Sequence, residues 1–381
     1  MHRSGWKGAF VVAAAGALVV TSSPAYAHGG KDGSGNDHRT RETVRVVAEG
    51  LNGPRQLSGD RGAFYVAESD IGQVTKVDKH GDTRALFTGF PEGLLQGVTR
   101  VGKTFVMAVG EAGPDEGGEP APESAPPAGG LQPSALYVAK KGGEPQLLAD
   151  LLAYELANNP DGQLQFDETG APVDALSNPY YVVEDKRRGG FVLVADAGAN
   201  AVLAVDRKGN VSEFFVPPLV TTGACEGAEN NSPETVGCDP VPTGLAYGRG
   251  NTLYVSTLSA EVPGEGRIYV LNARTGKVKD VIGGLNGPTG VAVDRHRNVY
   301  VSELLEGAPQ EEPGPGFDPS GVGQIVKIDR RGNRTFAQVT MPTGLLYTGG
   351  NLYASAWSIA SFLGIPDAGQ IVKVTDRAFT N

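Results

Sequence analysis

Charge is scarce in this chain, and positive charge scarcer still. Only 20% of its 381 residues are charged, Asp and Glu outnumber Lys and Arg by 43 to 33, and no extended basic cluster occurs. A net charge of -10 with a pI near 5.1 argues against nucleic acid and anionic membrane surfaces as partners. Histidine occurs five times: His2, His28 and His38 near the N-terminus, His80 and His296 in short turns of the form "DKHG" and "DRHRN". A histidine general base or a His-ligated metal at any elaborated loop is thereby disfavoured. No G-x-S-x-G elbow or phosphate-binding glycine loop is present. Beyond the first residues, no stretch is long and apolar enough to cross a bilayer.

Cysteine is limited to Cys225 and Cys238, within "ACEGAENNSPETVGCD". A metal site built on these two would need further Cys or His nearby, and none is there. The alternative is a disulfide, and the N-terminus favours it. Arg3 and Lys7 precede an apolar run over residues 9–20, and "AYA" at residues 25–27 has the small-x-small form of a cleavage site. Residues 1–27 are thus expected to be a signal peptide, cleaved after Ala27, with a membrane anchor as the alternative. A secreted, extracellular location favours an oxidised Cys pair. Residues 28–42, polar and Gly-rich, are expected to form a disordered leader.

What the chain has in abundance is glycine, 55 residues, and proline, 26. Their placement is periodic. "PTGLAY" at Pro242, "PTGVAV" at Pro288 and "PTGLLY" at Pro342 are each followed by a "YVS" or "YAS" run and then by a "G-x-I" run. "GPRQL" at Gly53, "NPYYVV" at Asn178 and a weaker copy from Gly97 extend the series to six copies. Each copy holds three short β-branched and aromatic runs and usually a fourth, with turn residues between. Four antiparallel strands per repeat, stacked radially, make a propeller blade. The expected fold class is therefore all-β: a six-bladed β-propeller over residues 43–381, and a monomer. The last copy lacks a fourth run, and "TVRVVAEG" at residues 43–50 is a spare strand, so the N-terminal strand should close the ring. Proline starts the innermost strand, and Gly244, Gly290 and Gly344 belong where those strands crowd the axis.

In such a meander, the loop after the second strand and the link to the next blade share one face. Every long insertion falls in these positions: residues 111–130, 151–177, 305–322, 357–368 and the Cys loop. A rigid scaffold elaborated on one face is the usual build of a binding site, here for a small molecule, a carbohydrate or a protein. Its acids, Asp115, Glu116, Glu119, Glu123, Glu306, Glu311, Glu312 and Asp318, form either a solvated rim or a cation site. Three more carboxylates end the second strands of alternate blades: Glu68, Asp196 and Glu303. They are the candidate metal ligands, for a divalent cation such as Ca or Mg, if they converge. Otherwise each caps loop N–H groups within its own blade. Catalytic residues cannot be named from these patterns.

The "P-x-G…YV[AS]E…GxIxKxD" copies resemble NHL-type repeats, and their arrangement resembles the ScyD/ScyE family of secreted bacterial propellers. That resemblance implies a six-bladed propeller without an established enzymatic role, acting as a binding or scaffold protein. A second resemblance is to gluconolactonase-like (SMP-30-type) propellers, which are metal-dependent lactonases. These typically place a Glu just before the first Gly-Pro, with an Asn and an Asp as further ligands. In "LNGP" that place is held by Asn52, while Asp196 in "VAD" matches a later ligand position. The alternative function implied is a metal-dependent hydrolase of lactones or esters.

Overall fold

The computed structural model describes residues 43–60, 62–112, 130–232, 235–309 and 316–381. The signal peptide and leader expected over residues 1–42 lie outside the described residues. β1 (Val44–Leu51) precedes the first blade. Blade one is β2 (Pro54–Asp60), β3 (Ala63–Glu68), β4 (Gln73–Asp78) and β5 (Thr83–Phe87). Blade two is β6 (Leu95–Val101), β7 (Thr104–Val109), β8 (Ala135–Lys140) and β9 (Gln146–Asp150). A short helix, α1 (Leu151–Asn158), leads on to blade three: β10 (Pro179–Glu184), β11 (Val192–Asp196), β12 (Ala201–Val205) and β13 (Val211–Phe215). Blade four is β14 (Pro242–Gly248), β15 (Thr252–Thr257), β16 (Gly266–Asn272) and β17 (Val278–Leu285). Blade five is β18 (Pro288–Val293), β19 (Val299–Glu303), β20 (Gln324–Ile328) and β21 (Arg334–Gln338). Blade six has β22 (Leu345–Thr348), β23 (Asn351–Ala356) and β24 (Gly369–Val374), and its fourth strand is β1.

The chain is a six-bladed β-propeller, as its repeats predict. The closing strand pairs antiparallel with β24, from Val44 opposite Val374 to Leu51 opposite Gly369, with two register shifts between. A second fastening has no mark in the repeats. Thr380, near the C-terminus, exchanges backbone hydrogen bonds with Phe336 of β21, at 2.8 and 3.0 Å. Alternation along the strands places apolar side chains between neighbouring blades, and the core is a ring of such interfaces. Among the described residues no helix is long and apolar enough to cross a membrane.

The inner glycines are needed where strands approach the axis. A Cβ on Gly344 would lie 2.6 Å from the Leu57 nitrogen, and one on Gly290 would run into the Thr343 carbonyl. The short turns on the plain face have their own logic. Asp78, Asp206, Asp294 and Asp329 each turn a carboxylate onto backbone N–H groups two and four residues on, at 2.7–3.1 Å. His80 and His296 sit in two of these turns, away from the long loops.

Candidate functional site at the loop-bearing mouth of the axis

Glu68, Asp196 and Glu303 end β3, β11 and β19, the same position in three blades. All three are buried. Each is held by its own blade. Glu68 accepts from the Asn52 backbone N–H at 2.7 Å, from Gln73 Nε2 at 3.2 Å and from the Thr75 hydroxyl. Glu303 repeats that arrangement, accepting from the Asn286 N–H at 2.8 Å and Gln324 Nε2 at 2.7 Å. Asp196 accepts from the Ser177 hydroxyl at 2.8 Å and from the N–H groups of Asn178 and Ala199 at 2.7 and 3.2 Å. In every case the carboxylate ties the segment entering the innermost strand to the end of the second strand. Burial raises the carboxyls of Asp196, to about 6, and of Glu303, against the hydrogen bonds that favour ionisation.

The fit to a shared metal ion is poor on this geometry. Both oxygens of each carboxylate already accept hydrogen bonds within one blade. Asn52, at the position where the lactonases carry a Glu, contributes its backbone N–H to Glu68. Among the described residues, no three His, Cys, Asp or Glu side chains gather closely enough to hold a metal on their own. Of the rim acids, Asp115, Glu116, Glu119, Glu123, Glu311 and Glu312 lie outside the described residues. Glu306 accepts from Asn286 Nδ2 at 2.6 Å, and Asp318 caps the turn Pro319–Gly321 through the Ser320 N–H at 3.0 Å.

The Cys loop is stapled as expected: Cys225 and Cys238 form a disulfide, with Cα atoms 5.3 Å apart. Backbone bonds between Val220 and Cys238, both 2.9 Å, brace it.

Sequence reasoning missed the axis itself. Three threonines from the "PTG" motifs clasp successive blades. Thr243 Oγ1 donates to the Pro288 carbonyl at 2.7 Å, Thr289 Oγ1 to that of Pro342 at 3.2 Å, and Thr343 Oγ1 to that of Pro54 at 3.0 Å. Ser302 and Ser355, from the second strands, add bonds to the Thr343 and Arg55 carbonyls at 2.6 and 2.7 Å. The other half of the ring uses different chemistry. Gln56 reaches past blade two to β10, donating Nε2 to the Val182 carbonyl at 2.7 Å and accepting the Val182 N–H at 3.0 Å. Tyr181 Oη donates across the ring to the Leu345 carbonyl at 3.3 Å. Gln56 and Tyr181 thus fill the axis below its loop-bearing end.

At that end, the residues matching the clasp threonines in blades one and three are Arg55 and Tyr180. Arg55 is buried, 7% exposed, and donates Nη1 to the Ser358 carbonyl at 2.7 Å. Its guanidinium lies 6.0 Å from the ring centre of Phe362, an exposed side chain on the blade-six loop. Among the described residues no carboxylate pairs with it. Tyr180 is half-buried; burial raises its hydroxyl, while the Arg55 charge opposes that rise and the Glu261 charge adds to it. Glu261 is exposed, and partial desolvation raises its carboxyl. Glu261 closes a run of three non-glycine residues in the left-handed region, Ser259, Ala260 and Glu261, with φ of 55°, 51° and 60°. Val241, Met341 and Trp357 share that conformation at the same face, with φ of 52°, 43° and 55°. Such backbone is costly for branched and bulky residues and gathers at binding sites.

The sequence matches no family model, and no curated protein matches it. Solved structures do match in shape. A proposed oxidoreductase (glucose dehydrogenase) of Thermus thermophilus superposes with a TM-score of 0.50 at 13% identity, covering 87% of this chain and 99% of that one. Regucalcin, a calcium-binding protein of Agrobacterium tumefaciens, gives 0.49 at 13%, covering 87% and 92%. A gluconolactonase of Xanthomonas campestris gives 0.49 at 13%, covering 87% and 89%. The likeness is one of fold.

Proposed function

We propose that the protein is a secreted, non-catalytic binding propeller of the ScyD/ScyE type. Its ligand enters the mouth of the axis on the loop-bearing face and presents an anionic group to Arg55. The observation that carries this is Arg55 itself: a buried guanidinium with a single protein hydrogen bond and no carboxylate partner among the described residues. Burying a cation unpaired is unfavourable unless an anion completes the site. Guanidinium geometry suits a carboxylate or phosphate gripped by two parallel bonds. Phe362 offers an aromatic face beside it for an apolar ligand body, and Tyr180 holds the matching position in blade three. The lactonase alternative is the weaker one, because Glu68, Asp196 and Glu303 are each held within one blade.

The test pairs a binding assay with a turnover assay. Benzoate, an aromatic carboxylate, serves as the first probe in thermal melts of the exported protein. A saturable rise in Tm is expected with the wild type and not with Arg55→Met, which keeps the side-chain length and removes the charge. Glucono-1,5-lactone is then offered with Ca²⁺, Mg²⁺, Mn²⁺ or Zn²⁺. Hydrolysis above the buffer rate with any of them refutes the non-catalytic reading.

A further inference from the structure

The link between blades two and three encloses a small cavity of about 20 Å³, apart from the axis. That is room for one water or one ion. Glu155 of α1 lines it, with Asp161, Gln163 and Asp174 from the following loop. The stapled Cys loop crosses beside it: Asn231, also in the lining, donates Nδ2 to Asp174 Oδ2 at 2.8 Å. Gln163 Nε2 donates to Asp239 Oδ1 at 2.5 Å, and Ser232 Oγ accepts from the Leu164 N–H at 2.9 Å. Two segments distant in sequence are therefore knitted around one polar hole.

Its donor inventory is lopsided. Glu155 is 3% exposed; its Oε1 accepts from Gln165 at 3.1 Å, and its Oε2 is buried with no hydrogen-bond partner. Gln163 Oε1 is likewise buried and without a partner. Asp161 accepts from Asn200 Nδ2 at 2.9 Å and the Gln163 N–H at 3.0 Å. Among the described residues, no Lys, Arg or His lines the cavity. The amide donors of Gln165 and Asn231 are spent on Glu155 Oε1 and Asp174, which leaves Glu155 Oε2 and Gln163 Oε1 as buried acceptors without a partner at the lining of one small space, an unfavourable arrangement that a bound cation reverses.

We propose that this cavity is a structural site for one Ca²⁺ ion, held by Glu155 Oε2, Gln163 Oε1 and water, with Asp161 and Asp174 contributing charge. The donor set holds only oxygen, which selects a hard cation over Zn²⁺ or Cu²⁺. Calcium accepts about six to eight oxygens in irregular geometry, amide and water oxygens included, whereas Mg²⁺ demands a near-ideal octahedron. The mixed set explains why the site is not a cluster of carboxylates alone. Occupancy fastens α1 and its loop to the stapled segment at the edge of the loop-bearing face.

The experiment uses the full exported chain, stripped with EDTA and desalted, then titrated with CaCl₂ by calorimetry and melted with and without calcium. One equivalent should bind, Tm should rise with free Ca²⁺, and Mg²⁺ should bind at least tenfold more weakly. Glu155→Gln should lower Ca²⁺ affinity at least tenfold, while Glu303→Gln, outside the cavity, should leave it unchanged. If Glu155→Gln fails to fold, Asp174→Asn carries the same expectation. Identical melting in EDTA and in excess Ca²⁺ overturns the proposal and leaves a water as the occupant of the cavity. Calcium binding that survives both substitutions overturns it as well.

Discussion

Replacing Gln56 with Ala should destabilise the ring more than any exposed substitution of similar size. The inner edge of β10 would otherwise face the axis with an unpaired N–H and C=O at Val182, and the Gln56 amide satisfies both, at 3.0 and 2.7 Å. Gln56 is 3% exposed, so water does not readily replace it. Each orphaned buried backbone group costs about 1–3 kcal/mol, and the lost side-chain packing adds to that, for a total of about 3–5 kcal/mol. For a propeller of roughly 340 residues this is a fall in Tm on the order of 5 °C. Gln56→Glu is the diagnostic companion. A carboxylate still accepts the Val182 N–H but sets its second oxygen against the Val182 carbonyl. The loss should be greatest at neutral pH and shrink as acid protonates the new side chain into a donor. Gln146→Ala is the control, because that amide is exposed and bonds only the adjacent Pro145 carbonyl at 3.1 Å; it should stay within about 0.5 kcal/mol of wild type. The assay is urea unfolding followed by tryptophan and tyrosine fluorescence. A Gln56→Ala loss below about 1 kcal/mol would show that the cross-axis pairing does not hold the ring.

Two further expectations concern closure and pH. Deleting residues through Gly50 removes most of β1 and turns β24 into an open edge, so Tm should fall by on the order of 10 °C or folding should fail, while deletion through Arg41 changes little; equal melting refutes closure by β1. Burial raises Asp196 from 3.8 to about 6 in the folded chain, so the folded state holds this proton more tightly than the unfolded state. Its contribution therefore falls as pH rises from about 4 to about 6, by roughly 3 kcal/mol at most. Asp196→Asn should flatten the stability profile in that window relative to wild type, and an unchanged slope refutes the assignment.

The architecture was legible because it is written six times. A Pro start in five of the six blades, three runs and turn residues at fixed offsets identify the blades, and the one missing fourth run points to the strand that closes the ring. The carboxylate locks were half legible. In blades one and five the same letters recur: "LNGP", a Glu ending the second strand, and a Gln opening the third, here Gln73 and Gln324. Reading them together, rather than the Glu alone, would have identified the local bonds of Glu68 and Glu303. Helix α1 carried one faint mark, Asp150, whose carboxylate caps it through the Ala153 N–H at 2.8 Å. The cavity beside it was illegible, because it forms only when the residues after α1 meet the Cys loop some seventy positions later. Gln56 was illegible for a related reason: its partner lies two blades on, and no periodicity connects them.

The two halves of the ring explain why the repeated letters and the candidate ligand seat do not coincide. Blades four to six keep Thr in the "PTG" motif, and each threonine is committed to the next blade through a buried hydrogen bond. A side chain so committed cannot also meet a ligand. Blades one and three carry Arg55 and Tyr180 at that position, and their neighbours Gln56 and Tyr181 take over the cross-ring bonding from one residue deeper. Moving the fastening inward frees the outer position for a charge and an aromatic face. Blade two completes the contrast. It has Gln96 there, whose Nε2 donates to the Gly93 carbonyl at 2.9 Å within its own entry loop, while its Oε1 is buried without a partner. Function on this scaffold is therefore expected where the repeat departs from itself, at Arg55, Gln96 and Tyr180, and stability where it does not.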